Sequence, residues 1–326
     1  MYDDGEMIAC DAEATITYVV RGEKATFHPG DRAKSYWPGE EHDVVVHDMR
    51  PLADKLALGR NGFVLLDEPT DVTDFADKEE LARYCRQCEV VVRRLTGARK
   101  VVSFGPILRT NAGGTHGHNQ PAFGAHVDYG ERTVRDFSYD LLEKDEADRL
   151  LQGRYMLINL WRPIVMVESA PLGLCDASTV KREDLFDSEV VGGLGDYNRR
   201  SLWGFNLAWA PGQRWYWAPH MQPWEMLAFK LFDSDPGAVQ FTAHTAFDPK
   251  DTPPDAAPRQ SIELRTIAYL GCSGRPQPQR PFRPAARWAI TIVRIVMIHT
   301  GERLGRSRTR RDPRSARQTL PPARPL

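Results

Sequence analysis

A mainly β protein with a few supporting helices, built round a barrel-like or jelly-roll core, is the fold class this sequence predicts. Three observations point there. Short apolar segments recur along the chain, Gly- and Pro-bearing turns separate them, and helical spacing is confined to a few patches. Thr15–Val20 and Ala25–His28 read as two short lead-in strands around the turn Arg21-Gly-Glu-Lys24. Asp48–Leu58 and Lys78–Leu95 carry apolar residues at helical spacing, the second with Asp74 or Asp77 to cap it and Gly97 to stop it. Gly62–Leu66 between them is a compact buried strand, and Val101–Gly105 is the next.

Residues Arg109–Gly124 are rich in Gly, His, Asn and Pro and read as a loop over the mouth of the core. Arg132–Leu151 has the pattern of one amphipathic helix, and Tyr155–Trp161 that of a buried strand. Gly204–Trp209 and Gln213–Trp217 suggest a hairpin about Pro211-Gly212, and Pro223–Asp233 has helical spacing with Pro in its first turn. Val239–His244 and Ser261–Leu270 complete the strands.

The chemistry concentrates in His126-Val127-Asp128, a distant His244, and Arg259-Gln260-Ser261. Alternate residues of an extended segment point the same way, so His126 and Asp128 present an imidazole and a carboxylate together. A third ligand would then come from a distant strand, with His244 the candidate. Two His and one carboxylate on one face of an iron leave open positions for a co-substrate and O2, the arrangement of non-haem Fe(II) oxygenases. Zn(II) tolerates the same ligands without redox chemistry. Arg259 and Ser261, alternate on a strand, supply a planar fork and a hydroxyl that together suit the distal carboxylate of 2-oxoglutarate.

These residues sit in longer stretches that resemble the AsaB-type hydroxylase/desaturase family of 2-oxoglutarate/Fe(II)-dependent oxygenases, which includes cephalosporin 7-alpha-methoxylase and gibberellin-desaturase-like proteins. The matching text is Ala125–Asp128, Ile158-Asn-Leu-Trp-Arg-Pro163, Leu172–Ala177, Phe229–Ser234, His244–Phe247 and Thr252–Asp255 through Arg259–Arg265. The resemblance runs over about residues 15 to 270. It implies a double-stranded β-helix (jelly-roll, cupin-like) core, Fe(II) and 2-oxoglutarate as cofactors, and hydroxylation or desaturation of a small-molecule secondary metabolite with O2. His126, Asp128 and His244 would then be the metal ligands and the centre of catalysis, with Arg259 and Ser261 on the co-substrate. A non-catalytic cupin-like binding protein is the alternative, and it has no need of Arg259 and Ser261. A zinc hydrolase would need a general base beside the metal, for which Glu131 is the nearby residue.

Other residues carry two readings. Arg162 lies in an apolar run where an unpaired charge is costly, so it either binds an anionic substrate or cofactor group or satisfies a core carboxylate such as Glu263. Asn159 must face the opposite side. His116 and His118 read as solvated loop residues, because a fourth protein ligand would block the open metal positions. Cys85 and Cys88 fall on a helical pattern with no second pair to complete a zinc site. Trp209, Trp215, Tyr216 and Trp217 could line a substrate pocket but suit a core equally. His220 stays outside the metal site.

The chain has 326 residues, enough to bury a sizeable core, with a soluble protein's 41% hydrophobic and 27% charged composition. Charge is uneven. Residues 273–326 hold thirteen Arg and no Lys against Glu302 and Asp312, so the body is acidic, which argues against nucleic acid as its partner. The start of the chain has no signal-peptide pattern, and five Cys without a framework suit a reducing, cytoplasmic setting. Residues 1–271 are therefore read as the catalytic domain and 272–326 as a disordered Arg/Pro-rich tail, whose apolar run Trp288–Ile298 is too short to span a bilayer.

Overall fold

Two sheets carry the fold in a computed structural model that describes residues 9–28, 31, 33–112, 120–192 and 201–271. In chain order the strands are β1 (Ala12–Val19), β2 (Ala25–Phe27), β3 (Gly39–Asp48), β4 (Phe63–Asp67), β5 (Lys100–Thr110), β6 (His126–Val127) and β7 (Arg154–Pro163). They continue as β8 (Leu172–Cys175), β9 (Leu185–Val190), β10 (Leu202–Leu207), β11 (Trp215–Trp217), β12 (Glu225–Asp233), β13 (His244–Ala246) and β14 (Gln260–Gly271). The larger sheet runs β1-β3-β11-β8-β13-β6-β10-β9-β2 and the smaller β4-β12-β7-β14-β5. Their inner faces share one core, in which Phe63, Leu157, Trp161, Phe229 and Ile267 of the smaller sheet meet Leu172, Leu174, Leu202 and Tyr216 of the larger. This is the expected mainly β, jelly-roll architecture.

The outer face of the smaller sheet is covered by α1 (Lys78–Thr96). Asp77 caps it by accepting from the backbone N–H of Glu79 and Glu80, and Gly97 ends it at φ 71°. Tyr84, Cys88, Val91 and Val92 pack from this helix onto Met156, Ile158, Leu160, Ile262 and Leu264. Strand β7 is thus buried on both faces, odd-numbered residues inward to the barrel and even-numbered ones outward to α1. No helix among the described residues is long and apolar enough to cross a membrane.

Several local expectations are corrected. Pro223–Asp233 forms no helix; it is β12, buried at all nine positions, and a strand covered on both faces has no period-two alternation to reveal it. Pro211-Gly212 does turn the chain, with Gly212 at φ 92°, but β10 pairs with β6 and β9 while β11 pairs with β3 and β8, so no hairpin forms. Nor do β1 and β2 pair with each other; β1 joins β3 and β2 joins β9. Arg132–Leu151 divides into α2 (Glu131–Leu141) and α3 (Lys144–Leu150), and Asp48–Leu58 shrinks to a 3-10 turn at Arg50–Lys55. Only His244 of Val239–His244 is in a strand. Strand β3 went unexpected because its first half, Gly-Glu-Glu-His-Asp, is polar and largely exposed. The segments 113–119 and 272–326 lie outside the described residues, and with them His116, His118 and the tail.

Candidate metal centre

Strands β10, β6 and β13 are neighbours in the larger sheet, and the register places His126 opposite His244 on one side and Asn206 on the other. Directly opposed residues in antiparallel strands point to the same face, so the two imidazoles meet. Their ring centroids are 4.3 Å apart. Asp128 directly follows β6, two residues after His126. Its carboxylate lies 3.4 Å from His126 Nε2 through Oδ1 and 3.7 Å from His244 Nε2 through Oδ2. One ligand atom from each of the three falls within 4.8 Å of the others. Ligand bonds of about 2 Å to a common ion bring donors to within about 4 Å of one another, a range the two carboxylate–imidazole separations already meet.

The imidazoles are aimed. His126 Nδ1 lies 2.7 Å from the Gly124 carbonyl and His244 Nδ1 3.3 Å from the Thr242 carbonyl, which fixes each ring with Nε2 toward the carboxylate. Burial and the neighbouring His126 pull His244 down to about 4, so its ring is neutral and able to ligate at neutral pH. Burial opposes charge on His126 as well, but hydrogen bonding and attraction to Asp128 outweigh it and raise its pKa. Burial also works against the Asp128 anion, yet His126, His244 and Arg265 hold it well below the usual carboxylate range. The Phe229 ring, 4.8 Å from that of His244, closes one side of the site against water.

Gly204 permits this approach. A Cβ built there would lie 2.3 Å from the Val127 carbonyl oxygen and 2.5 Å from that of Asp128, so no side chain fits where β10 passes β6.

Arg259 and Ser261 stand at the start of β14, on the inner face of the smaller sheet by alternation with Ile267. Arg259 is 2% exposed; Nη1 donates to the Ala170 carbonyl at 2.7 Å and the guanidinium lies over the Trp161 ring at 5.5 Å. Ala170 itself is held at φ 46°, a left-handed conformation an alanine rarely takes, and so turns that carbonyl to the arginine. Nε of Arg259 and Oγ of Ser261 are buried with no partner among the described residues. Burial, with repulsion from Arg109, pulls Arg259 down to about 9 against the weaker attraction of Glu263 and Asp248. Orphaned buried donors two residues apart fit an anion with paired oxygens.

Arg162 does not belong to this group, which corrects the expectation that it contacts a cofactor. As an even-numbered residue of β7 it turns outward to α1, where Nη1 donates to the Pro223 carbonyl, Nη2 to that of Glu68, and Nε to Tyr84 Oη at 3.3 Å. It lines a cavity of about 350 Å3 with Val72, Phe75 and Trp224 on that outer side. Glu263, proposed from sequence as its partner, instead takes Arg109 and Arg265. The last two were missed as site residues, although Arg259, Ser261, Glu263 and Arg265 stand two apart in the sequence. Of the aromatics, Trp215 donates to Tyr18 Oη at 2.8 Å within the core, and Trp209 stacks on His42 at 4.5 Å.

A jelly roll holding two His and a carboxylate beside an unpaired buried arginine defines the class of non-haem iron oxygenases. Comparison with known proteins agrees. Residues 10–269 match the family model described as an oxidoreductase/YMDC permease-like domain. The chain is 30% identical over 237 residues to the Fe(II)/2-oxoglutarate-dependent dioxygenase nvfI of Aspergillus novofumigatus, covering 71% of this chain and 84% of that one. It is 28% identical over 249 residues to the hydroxylase/desaturase efuI of Hormonema carpetanum, covering 69% and 83%. The solved structure of the iron and alpha-ketoglutarate-dependent endoperoxidase NvfI superposes with a TM-score of 0.70 at 27% identity, covering 81% of this chain and 98% of that one. The chain belongs to the oxidoreductase/YMDC permease-like domain family and, within it, to the Fe(II)/2-oxoglutarate-dependent dioxygenases of the AsaB hydroxylase/desaturase type. It is an oxidoreductase, and Fe(II) and 2-oxoglutarate are its cofactors.

Proposed function

We propose that His126, Asp128 and His244 hold the Fe(II), that Arg259 and Ser261 anchor the distal carboxylate of 2-oxoglutarate, and that the chain hydroxylates or desaturates a small-molecule secondary metabolite. The observation that carries this reading is the pairing of convergent ligand atoms with the orphaned Arg259 Nε and Ser261 Oγ on the facing sheet. Bound together, the metal and the keto acid supply an O2-derived oxidant able to remove a substrate hydrogen. The protein's own residues position and exclude. His126 and His244 turn their Nε2 atoms to one point because carbonyls take their Nδ1 protons. Arg259 meets the co-substrate with a fixed fork, since Ala170 and Trp161 already hold its guanidinium. Phe229 and Trp161 set apolar rings beside His244 and Arg259.

A non-catalytic cupin-like protein would not leave two buried donors unpaired, which costs about 1 to 3 kcal/mol each. We assign the protein to the cytoplasm, since Cys10, Cys85, Cys88 and Cys175 are all free thiols, and we assign it no nucleic-acid partner. The unit that carries this activity is taken to end by Gly271. The test is aerobic 2-oxoglutarate consumption with Fe(II) against Zn(II): turnover with Fe(II) alone supports the reading, and no turnover with either metal rejects it.

A further inference from the structure

Asp128 touches more than the two histidines. Arg265 Nη2 lies 3.9 Å from Asp128 Oδ2 and 2.6 Å from Glu263 Oε1. From the other side Arg109 grips the same glutamate with Nε at 2.8 Å and Nη2 at 2.9 Å. All four side chains are largely shielded, with Arg265 and Glu263 only 4% and 8% exposed. The guanidinium of Arg265 has further constraints: Nη1 donates to the Gly105 carbonyl at 3.1 Å and the group lies 5.4 Å over the Tyr129 ring.

Two buried arginines on one glutamate leave a positive charge uncompensated, and isolated buried charge is costly. The imbalance is removed only when Asp128 is counted, which gives two cations and two anions in one chain, Arg109–Glu263–Arg265–Asp128. Arg265 is therefore not a core ion pair of the ordinary kind, because its second anionic neighbour is the carboxylate of the metal centre. Its place on β14, six residues after Arg259, sets it deeper along the same inner face.

On the reading that His126, Asp128 and His244 hold the metal, the geometry points to Arg265 as a positioning residue for Asp128. Glu263 and Arg109 hold the arginine, and the arginine restrains the carboxylate from turning away from the histidines. Groups behind a metal ligand that fix its orientation typically change metal affinity 10- to 100-fold when removed, a range of about that size being expected here.

The experiment measures Fe(II) dissociation constants anaerobically on the full-length protein, by competition with a chromogenic chelator. Wild type, Arg265→Met, Arg265→Lys, Arg259→Gln and His244→Ala are compared, each with its melting temperature. Arg265→Met is expected to weaken Fe(II) binding about 10- to 100-fold, with Arg265→Lys between it and wild type, because lysine keeps the charge but not the planar fork. The visible spectrum of the Co(II)-substituted protein should change in Arg265→Met, a readout that a purely structural role would leave alone. If Arg265→Met does not fold, Arg265→Lys carries the test by the same two measurements. Unaltered Fe(II) affinity and Co(II) spectrum in a folded Arg265 variant overturn the inference, and so does a change confined to 2-oxoglutarate affinity. Wild type that fails to bind Fe(II), or His244→Ala that binds it equally well, rejects the metal-site reading instead.

Discussion

Replacing Arg259 by Gln should raise the 2-oxoglutarate requirement about tenfold and leave Fe(II) binding where it was. Among the described residues Arg259, 2% exposed, makes one guanidinium hydrogen bond, to the Ala170 carbonyl, while its Nε and Ser261 Oγ have none. A carboxylate entering between them gains two charge-assisted hydrogen bonds at roughly 1.5 to 3 kcal/mol each, and the one from Ser261 survives the substitution. Glutamine replaces the arginine's with one neutral hydrogen bond, worth about 1 kcal/mol. The difference is on the order of 1.4 kcal/mol, so the KM for 2-oxoglutarate rises roughly tenfold. Arg259→Lys should fall between, because the charge survives and the fork does not. Succinate formation at saturating Fe(II) gives KM, and chelator competition gives the metal affinity in parallel. An unchanged KM would refute the assignment of the anchor, and an equal loss of metal affinity would refute the separation of the two sites.

Three further outcomes are expected. Gly204→Ala forces a Cβ to within 2.3 Å of the Val127 carbonyl, and should weaken Fe(II) binding or cost about 1 to 3 kcal/mol of stability; denaturant midpoints and metal titration together check this, and an unaffected protein refutes it. Arg162→Met leaves the Pro223 and Glu68 carbonyls without their buried donor, so stability should drop by about 2 kcal/mol while the KM for 2-oxoglutarate stays constant. Truncation after Gly271, where β14 ends, should preserve folding and Fe(II)-dependent 2-oxoglutarate turnover, and loss of either places part of 272–326 in the catalytic unit.

The first two proposed metal ligands were legible because their signal is local and chemical. His126 and Asp128 need only the two-residue repeat of an extended segment to share a face, and that repeat survives although β6 is just two residues long. The third proposed ligand, His244, was legible only as a candidate from a distant strand, since its pairing with His126 is a contact between strands far apart in sequence. The strands buried on one side, such as β1, and the capped helix α1 were legible for the same local reason. Strand β12 was not. Nine consecutive buried residues carry no alternation, and Glu225, Lys230 and Asp233 among them fall at spacings a helix also allows.

Arg162 and Arg259 make the limit specific. Each is an arginine at one end of a strand in the smaller sheet, each is 2% exposed, and Glu263↔Trp161 register ties the two strands together. Sequence shows that Arg162 and Asn159 face opposite ways, and that Arg259, Ser261, Glu263 and Arg265 face the same way. Which parity faces the metal depends on the sheet's two coverings. Helix α1 packs on Ile158 and Leu160, so even-numbered residues of β7 turn to it and Arg162 spends its donors on loop carbonyls beside that helix. The inner face receives Asn159 and Trp161, opposite Arg265 and Glu263 in the register. A polar stripe of four residues on a strand otherwise buried in apolar neighbours has to be satisfied by something. Glu263 and Arg265 find Arg109 and Asp128, whereas among the described residues Arg259 Nε and Ser261 Oγ find no partner and Arg259 has no carboxylate within ion-pair distance. The proposed co-substrate anchor is thus recognisable less by the residues it contains than by its being the cation in that stripe that no described carboxylate pairs with.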